Sequence, residues 1–337
     1  PNASLMGPDS IDQITDIVNS TLNGTPLIQL GKSTKPKVLL PKIRINPVID
    51  IVEIGTGCLS SCTFCQVKIA KGTLISYPPN AIVEQIQKST DSSCREIWLT
   101  STDNGCYGMD MSMDLADLLT SIVDIQNNFL VRVGMMNPMH TKKKFHKLFN
   151  IFSHDKIYKF LHIPVQSGNN RVLKSMLRGH SREDYILMCS SFREKFPLSS
   201  IATDIIVGYP TESDEEFRDT VELIKSTQPD VVNLSKYGAR PGSQAIEMEQ
   251  VPNSIINARS KSLTSIIKEI SLERNKKWLD WTGNCLVNEN GKIDGTMIGR
   301  NFAYRPIVLK NSDVVLGNHY NVKIVEAHST YLVGEIL

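Results

Sequence analysis

From Ile49 onward the chain switches repeatedly between two hydrophobic periods. Short runs rich in Ile, Val and Leu are each followed by a longer stretch whose apolar residues recur at three- and four-residue spacing. The runs predict strands over 49–54, 96–100, 130–134, 159–163, 201–207 and 231–234. The stretches between them predict helices over 78–88, 115–125, 142–151, 182–195 and 215–226. Strands alternating with helices imply a parallel sheet with right-handed crossovers, which can curl into a full or partial barrel. In such a barrel, chemistry gathers at the C-terminal ends of the strands.

The pattern differs on either side of this region. Near the N-terminus, Ser10 is placed to cap a helix whose apolar face is Ile11, Ile14, Ile17, Val18 and Leu22, ending at Gly24. One helix cannot build a core, so it is expected to pack on something else. Residues 35–47, rich in Pro and Lys, predict a linker. The first residue is Pro1 rather than Met, which suggests a fragment or a processed chain. After the alternating region, 254–280 predicts one long helix carrying Arg259, Lys261, Lys268, Arg274, Lys276 and Lys277. That charge reads either as the solvated face of a connecting helix or as a face turned toward RNA. Beyond Gly283 come five short strand candidates, at 285–287, 293–298, 307–309, 320–326 and 331–336. Turn signals separate them at Glu289-Asn290-Gly291, Lys310-Asn311-Ser312-Asp313 and Leu316-Gly317-Asn318. Five short strands predict a small antiparallel barrel similar to an OB-fold, a shape that often binds single-stranded or looped nucleic acid.

Composition changes this picture little. The 337 residues are 41% hydrophobic, ample for a large core, and the net charge of +2 neither demands nor excludes nucleic acid. No apolar run approaches the roughly 18 residues of a membrane span, and no secretory leader is evident. A cytoplasmic protein without a membrane partner is expected.

The candidate chemistry begins where the first strand ends, at Gly57-Cys58-Leu59-Ser60-Ser61-Cys62-Thr63-Phe64-Cys65. The spacing is C-x3-C-x2-C. A disulfide framework fits poorly with seven cysteines in a chain of this length. Structural zinc takes four ligands, usually in two pairs, and no second pair lies nearby. Thiolates also hold iron–sulfur clusters. Three cysteines on a four-iron cluster leave one iron open for a small molecule. A zinc knuckle and three buried thiols remain as alternatives on spacing alone. The other strand ends are also polar: Thr100 to Gly105, Asn137-Pro138, Pro164 to Gly168, Gly208 to Glu212, and Tyr237 to Gly242. Any one is a plausible turn; five on one barrel face suggest a site.

The cysteine spacing, Gly57 before it and Phe64 within it resemble the radical S-adenosylmethionine (SAM) superfamily. Within that superfamily the chain resembles the tRNA methylthiotransferases. The resemblance rests on the cysteine motif, His162-Ile163-Pro164-Val165-Gln166-Ser167-Gly168, Asp204 to Glu212 and Arg240-Pro241-Gly242-Ser243. Glu96 to Ser101 with Asp103 and Tyr107-Gly108, Leu40 to Pro47, and Gly134 to Pro138 are similar to its archaeal and eukaryotic branch. That branch converts N6-threonylcarbamoyladenosine at position 37 of tRNA to its 2-methylthio form.

The resemblance implies an α/β fold: a partial (β/α)6 TIM-like radical SAM barrel at 48–253, a connecting helix at 254–281 and a small all-β TRAM domain, OB-like, at 282–337. Residues 1–47 would be the remnant and linker of a preceding methylthiotransferase domain. Cys58, Cys62 and Cys65 would hold a [4Fe-4S] cluster, catalytic with SAM on its open iron. Thr102, Gln166, Ser167, Arg178 and Asp204 are candidates for binding SAM, with Arg178 forking onto its carboxylate. Asp103 and Arg240 would face the substrate or a second cluster. That second [4Fe-4S] cluster is expected only in the full-length protein, because Cys94, Cys106, Cys189 and Cys285 are scattered. The expected partners are the tRNA anticodon loop and an electron donor. This chain alone is expected to cleave SAM but not to transfer sulfur. The alternatives are a methylthiotransferase for another substrate, such as isopentenyladenosine tRNA or a ribosomal protein side chain, a zinc-containing RNA-binding protein, and an inactive RNA-binding fragment.

Overall fold

The computed structural model describes residues 3–31, 36–310 and 313–337. Pro1, the first linker residue Lys35, and Asn311 and Ser312 of one predicted turn lie outside the described residues.

Six parallel strands form the framework: β1 (Ile49–Glu53), β2 (Glu96–Thr100), β3 (Leu130–Val133), β4 (Phe160–His162), β5 (Ser200–Val207) and β6 (Val231–Lys236). β1, β2 and β3 pair in that order, as do β4, β5 and β6. A parallel bridge between Val131 and Ile157 and a hydrogen bond from Met136 N to His162 O (2.9 Å) join the two halves into one arc. The helices cover its outer side with the faces the periodicity predicts. Helix Leu115–Val123, for example, buries Leu115, Leu118, Leu119 and Ile122. Capping boxes start three of these helices, at Asp114/Asp117, Ser181/Asp184 and Ser213/Glu216.

Local chemistry corrects the sequence reading in several places. The helix expected at 142–151 begins later, at Phe145–Ile151, and a separate helical turn, Pro138–Thr141, precedes it, because Asn137 caps a turn that Pro138 opens. Ser10 is not a helix cap. It is buried in a 3-10 turn, Pro8–Gln13, and the α-helix begins at Ile14. On that helix Ile17 is buried, whereas Ile14, Val18 and Leu22 are exposed. Residues 293–296 form a turn rather than strand, closed by Gly291 N donating to Thr296 O (2.8 Å).

The C-terminal strands are β7 (Thr282–Asn290), β8 (Met297–Asn301), β9 (Pro306–Leu309), β10 (His319–Ala327) and β11 (Leu332–Ile336). They close into a barrel in the order β7-β8-β9-β11-β10. The pairing β9–β11 is parallel, so the barrel is not wholly antiparallel as expected. It has its own core, with Trp278, Val287, Ile307, Val322, Ile324 and Leu332 buried.

This small barrel docks against the N-terminal ends of the parallel strands. Asn288 Nδ2 donates to Glu96 Oε2 (2.7 Å), and Lys159 N donates to Phe302 O (2.7 Å). Asp230, just before β6, is buried and receives Arg274 Nε (2.6 Å) from the long helix Asn253–Lys276, Arg305 from the small barrel and Arg193 Nη2 (3.4 Å). Burial pushes the Asp230 carboxyl up, but Arg305 and Arg274 outweigh it and hold it below the usual carboxylate range. Arg259 is equally committed, to Glu212 Oε2 (2.9 Å) and Asp214 Oδ1 (2.7 Å). Two of the six cations predicted on this helix therefore fasten the fold; Lys261, Lys268, Lys276 and Lys277 remain exposed. The open end of the arc, where the strands deliver their C-termini, is on the opposite side.

Candidate active site

The cysteine loop leaves β1 through a position that only glycine suits. Gly57 has φ +72°, and a Cβ there would lie 1.9 Å from Thr73 O. Gly57→Ala is therefore expected to displace the loop, reducing iron bound after reconstitution well below wild type and lowering the melting temperature of the apo-protein; both are directly measurable. The loop is then clamped at Thr63. Thr63 Oγ1 bonds Ser175 O (3.0 Å) and the Tyr209 hydroxyl (2.8 Å), and Ala245 N donates to Thr63 O (2.9 Å). Phe64 packs beside Val172, Met176, Tyr209 and Ala245. An unpredicted short helix, Asn170–Ser175, supplies one wall of that clamp.

These contacts hold Cys58, Cys62 and Cys65 half-buried around one cavity of about 160 Å³. Thr102, Asp103, Asn137, Gln166 and Arg178 line the same cavity. It adjoins a larger one of about 590 Å³, sharing Phe64, Cys65, Val67 and Gln166 with it. Asp204, Asn233, Lys236 and Arg240 line the larger space. Both cavities lie at the C-terminal ends of the parallel strands.

The sequence-predicted residues fall into three groups. The three cysteines, Thr102, Asp103, Gln166 and Arg178 come together around the smaller cavity. Gln166, Asp204 and Arg240 come together around the larger. Ser167 joins neither: it is buried behind the strand end, where its hydroxyl accepts from Asn169 N (3.2 Å) and lies 3.4 Å from Thr220 Oγ1. The reason is Gln166, whose φ of +75° turns the chain left-handed and carries the next side chain away. The expected Arg178 fork is also altered. Arg178 is buried, with Nη1 on Cys62 Sγ (3.3 Å) and Nη2 on Pro164 O (2.9 Å), so both fork nitrogens are already engaged.

A buried polar atom that lines a cavity and lacks a protein partner is available to a ligand. Thr102 Oγ1, Asp103 Oδ2, Gln166 Oε1 and Arg178 Nε are all of this kind, and all belong to residues lining the smaller cavity. Burial pushes the Asp103 carboxyl up, opposed by the Asn137 N–H and by His140. Burial pushes the Asp204 carboxyl up too, but its hydrogen bond from His162 (2.9 Å) leaves it below the usual range. The Cys58 thiol is raised by burial, while the Ser60 N–H at 3.3 Å from its sulfur pulls the other way.

This donor set fits an iron–sulfur cluster. Three sulfurs share one cavity, yet among the described residues no three Cys, His, Asp or Glu side chains converge to hold a single ion. Ligands to different corners of one cluster need no common point. Amide N–H groups on two of the sulfurs, from Ser60 to Cys58 and from Val67 to Cys65 (3.4 Å), are the contacts that tune such clusters.

Sequence reasoning missed Ser60, His140, His162 and Asn233. Asn233 had a signal, the polar alternation Asn233, Ser235, Tyr237 along β6 and one residue past its end, all of which line the larger cavity. His140 had none, since only the short helix after Asn137 turns it inward.

Residues 52–224, half of the chain, match the Radical SAM superfamily, and the chain is a member of it. Among solved structures, the radical SAM methyltransferase TsrM from Kitasatospora setae is similar in fold. It is 13% identical, with a TM-score of 0.54 over 72% of this chain and 52% of that one. A protein of Archaeoglobus fulgidus named "Probable threonylcarbamoyladenosine tRNA methylthiotransferase" is 42% identical over 99% of this chain and 78% of its own length. One of the same name in Pyrococcus abyssi is 40% identical over 99% and 79%. The human threonylcarbamoyladenosine tRNA methylthiotransferase is 33% identical over 98% of this chain, which spans 58% of the human protein. The chain belongs to the threonylcarbamoyladenosine tRNA methylthiotransferase family.

Proposed function

We propose that this chain carries the catalytic barrel of an enzyme that adds a methylthio group to C2 of N6-threonylcarbamoyladenosine at position 37 of tRNA. Carbon 2 of adenine bears an unactivated C–H bond, which no side-chain base can exchange for sulfur near neutral pH. A bound [4Fe-4S] cluster with SAM supplies the one-electron chemistry that the exchange calls for. Cys58, Cys62 and Cys65 would hold that cluster from the wall of the smaller cavity, three thiolates for its four irons. Thr102, Gln166 and Asp204 hold SAM through the polar atoms they turn to this space. Arg178 steadies the Cys62 thiolate as well as the ligand. Asp103 and Arg240 face the modified base of the anticodon loop, and the four exposed lysines of the long helix, with the small barrel beyond them, contact the stem. The single observation that carries this reading is the half-buried cysteine triad opening into a nucleoside-sized cavity at the strand ends.

The other four cysteines are buried, Cys106 near Cys58 and the other three away from the cysteine loop. We therefore assign one cluster to these 337 residues, and any second cluster to residues outside them. Among the described residues no helix is long and apolar enough to cross a membrane. On the separate ground of a tRNA substrate we propose the cytoplasm as its compartment, with an electron donor as its second partner.

Nucleoside mass spectrometry of tRNA from cells with and without the protein tests the substrate. Loss of the protein should remove the methylthio form of threonylcarbamoyladenosine and leave isopentenyladenosine derivatives unchanged; the reverse pattern would reassign the enzyme. A second expectation concerns the helix. Replacing Lys268, Lys276 and Lys277 together with Ala should flatten the salt dependence of tRNA binding by up to about three ionic contacts. An unchanged slope in a filter-binding titration would remove the helix from the interface.

A further inference from the structure

Ser60 sits at the centre of a buried polar network in which His140 and Asn137 have no role above. Its peptide N–H donates to Cys58 Sγ (3.3 Å). Its hydroxyl is 3.0 Å from His140 Nε2 and accepts from Asn137 Nδ2 (3.2 Å). Asn137 is itself fixed: its N–H donates to Asp103 Oδ1 (2.9 Å), and its Oδ1 accepts from Met139 N (3.2 Å). Because Oδ1 is occupied in this way, the amide is oriented with Nδ2 toward Ser60. His140 Nε2 also lies 3.8 Å from Asp103 Oδ2. Ser60, Asn137 and Asp103 are all buried, and His140 is nearly so. Two side chains from the end of β3 thus reach across the barrel mouth to grip one residue of the cysteine loop.

We propose that His140 and Asn137 are positioning residues for the cluster. They pin the Ser60 hydroxyl, and through it they keep the Ser60 N–H on the Cys58 sulfur. An N–H donor on a ligating sulfur withdraws electron density and makes the cluster easier to reduce. Leu59, beside Ser60, is exposed, so its side chain adds no buried packing that could replace the grip. With the grip removed, the N–H leaves the sulfur and the reduction potential falls. The inference rests on the cluster assignment made above.

The test is an EPR-monitored redox titration of the reconstituted chain without SAM, for wild type, His140→Ala, His140→Gln and Ser60→Ala. A wild-type chain that takes up no iron defeats the cluster assignment and not the network. Given a loaded wild type, His140→Ala should keep its iron and titrate at a more negative midpoint. His140→Gln, which retains a donor, should recover part of the shift. Ser60→Ala, which keeps the peptide N–H but loses the pinned hydroxyl, should move in the same direction as His140→Ala. Should His140→Ala fail to fold or load, Ser60→Ala decides alone. A merely structural role would lower the melting temperature of the apo-protein and leave the midpoint where it was. Wild-type midpoints in the loaded variants overturn the proposal.

Discussion

Cys62→Ala will abolish iron–sulfur assembly and, with it, SAM cleavage, leaving no 5′-deoxyadenosine above the protein-free background. The loss has two sources. One corner of the cluster loses its ligand, and a cluster held by two thiolates does not persist. In addition, Arg178 Nη1 donates to Cys62 Sγ at 3.3 Å inside the protein, so removal of the sulfur leaves a buried guanidinium short of a partner. An unpaired buried donor of that kind costs about 1–3 kcal/mol or more. The variant should therefore melt lower as an apo-protein besides binding no cluster. Cys94→Ala is the informative control. Cys94 is also buried, but it lies at the other end of the parallel strands, donating to Val48 O at 3.0 Å. Its replacement should leave the iron count at the wild-type value. Iron count, the 5′-deoxyadenosine assay and an apo-protein melt on the two variants separate these effects. Equal iron in Cys62→Ala and wild type would remove the cysteine loop from the cluster.

Asp230→Asn is expected to be the most damaging single change away from the site. Arg274, Arg305 and Arg193 converge on this carboxylate, which is fully buried, and Arg305 and Arg274 are nearly so. Breaking a buried pair by removing one partner costs about 3–5 kcal/mol, because the opposite charge stays behind. Here three charges stay behind, from a barrel helix, the long helix and the small barrel. The variant should unfold at lower urea, with the small barrel becoming protease-sensitive first. Asp280, exposed and paired with Lys323 at 2.9 Å, is the contrasting ion pair, and Asp280→Ala should shift the urea midpoint little. Acid should mimic the variant. The folded Asp230 carboxyl lies below its unfolded value, so its contribution is complete above about pH 4 and is lost as pH falls through the folded value. In Asp230→Asn that part of the acid dependence should be missing.

Much of the architecture was legible from periodicity. Each predicted barrel strand exists, because parallel strands covered by helices leave continuous runs of Ile, Val and Leu. The cysteine triad and the polar strand ends were legible for a different reason: their chemistry is unusual at those places in any fold. What was not legible depends on distant partners. Arg274 looks in sequence like any helix-surface cation, and only Asp230, 44 residues earlier, makes it a buried anchor. Arg305 meets the same carboxylate from 75 residues beyond it. Ser167 was misplaced for a local reason, the left-handed Gln166, which no alternation rule anticipates. The protein partners of Arg178, a cysteine sulfur and a proline carbonyl, were not legible because they carry no charge pattern along the chain. His140 entered the site only because Pro138 opened a helical turn after β3.

The central claim is that these residues build a radical SAM site, and metal content with product analysis tests it most directly. Anaerobic reconstitution of the wild-type chain with iron and sulfide, followed by dithionite and SAM, should give about four irons per chain. It should also release 5′-deoxyadenosine. A chain that takes up zinc in place of iron and releases no 5′-deoxyadenosine would contradict the account and leave a folded RNA-binding protein without the chemistry.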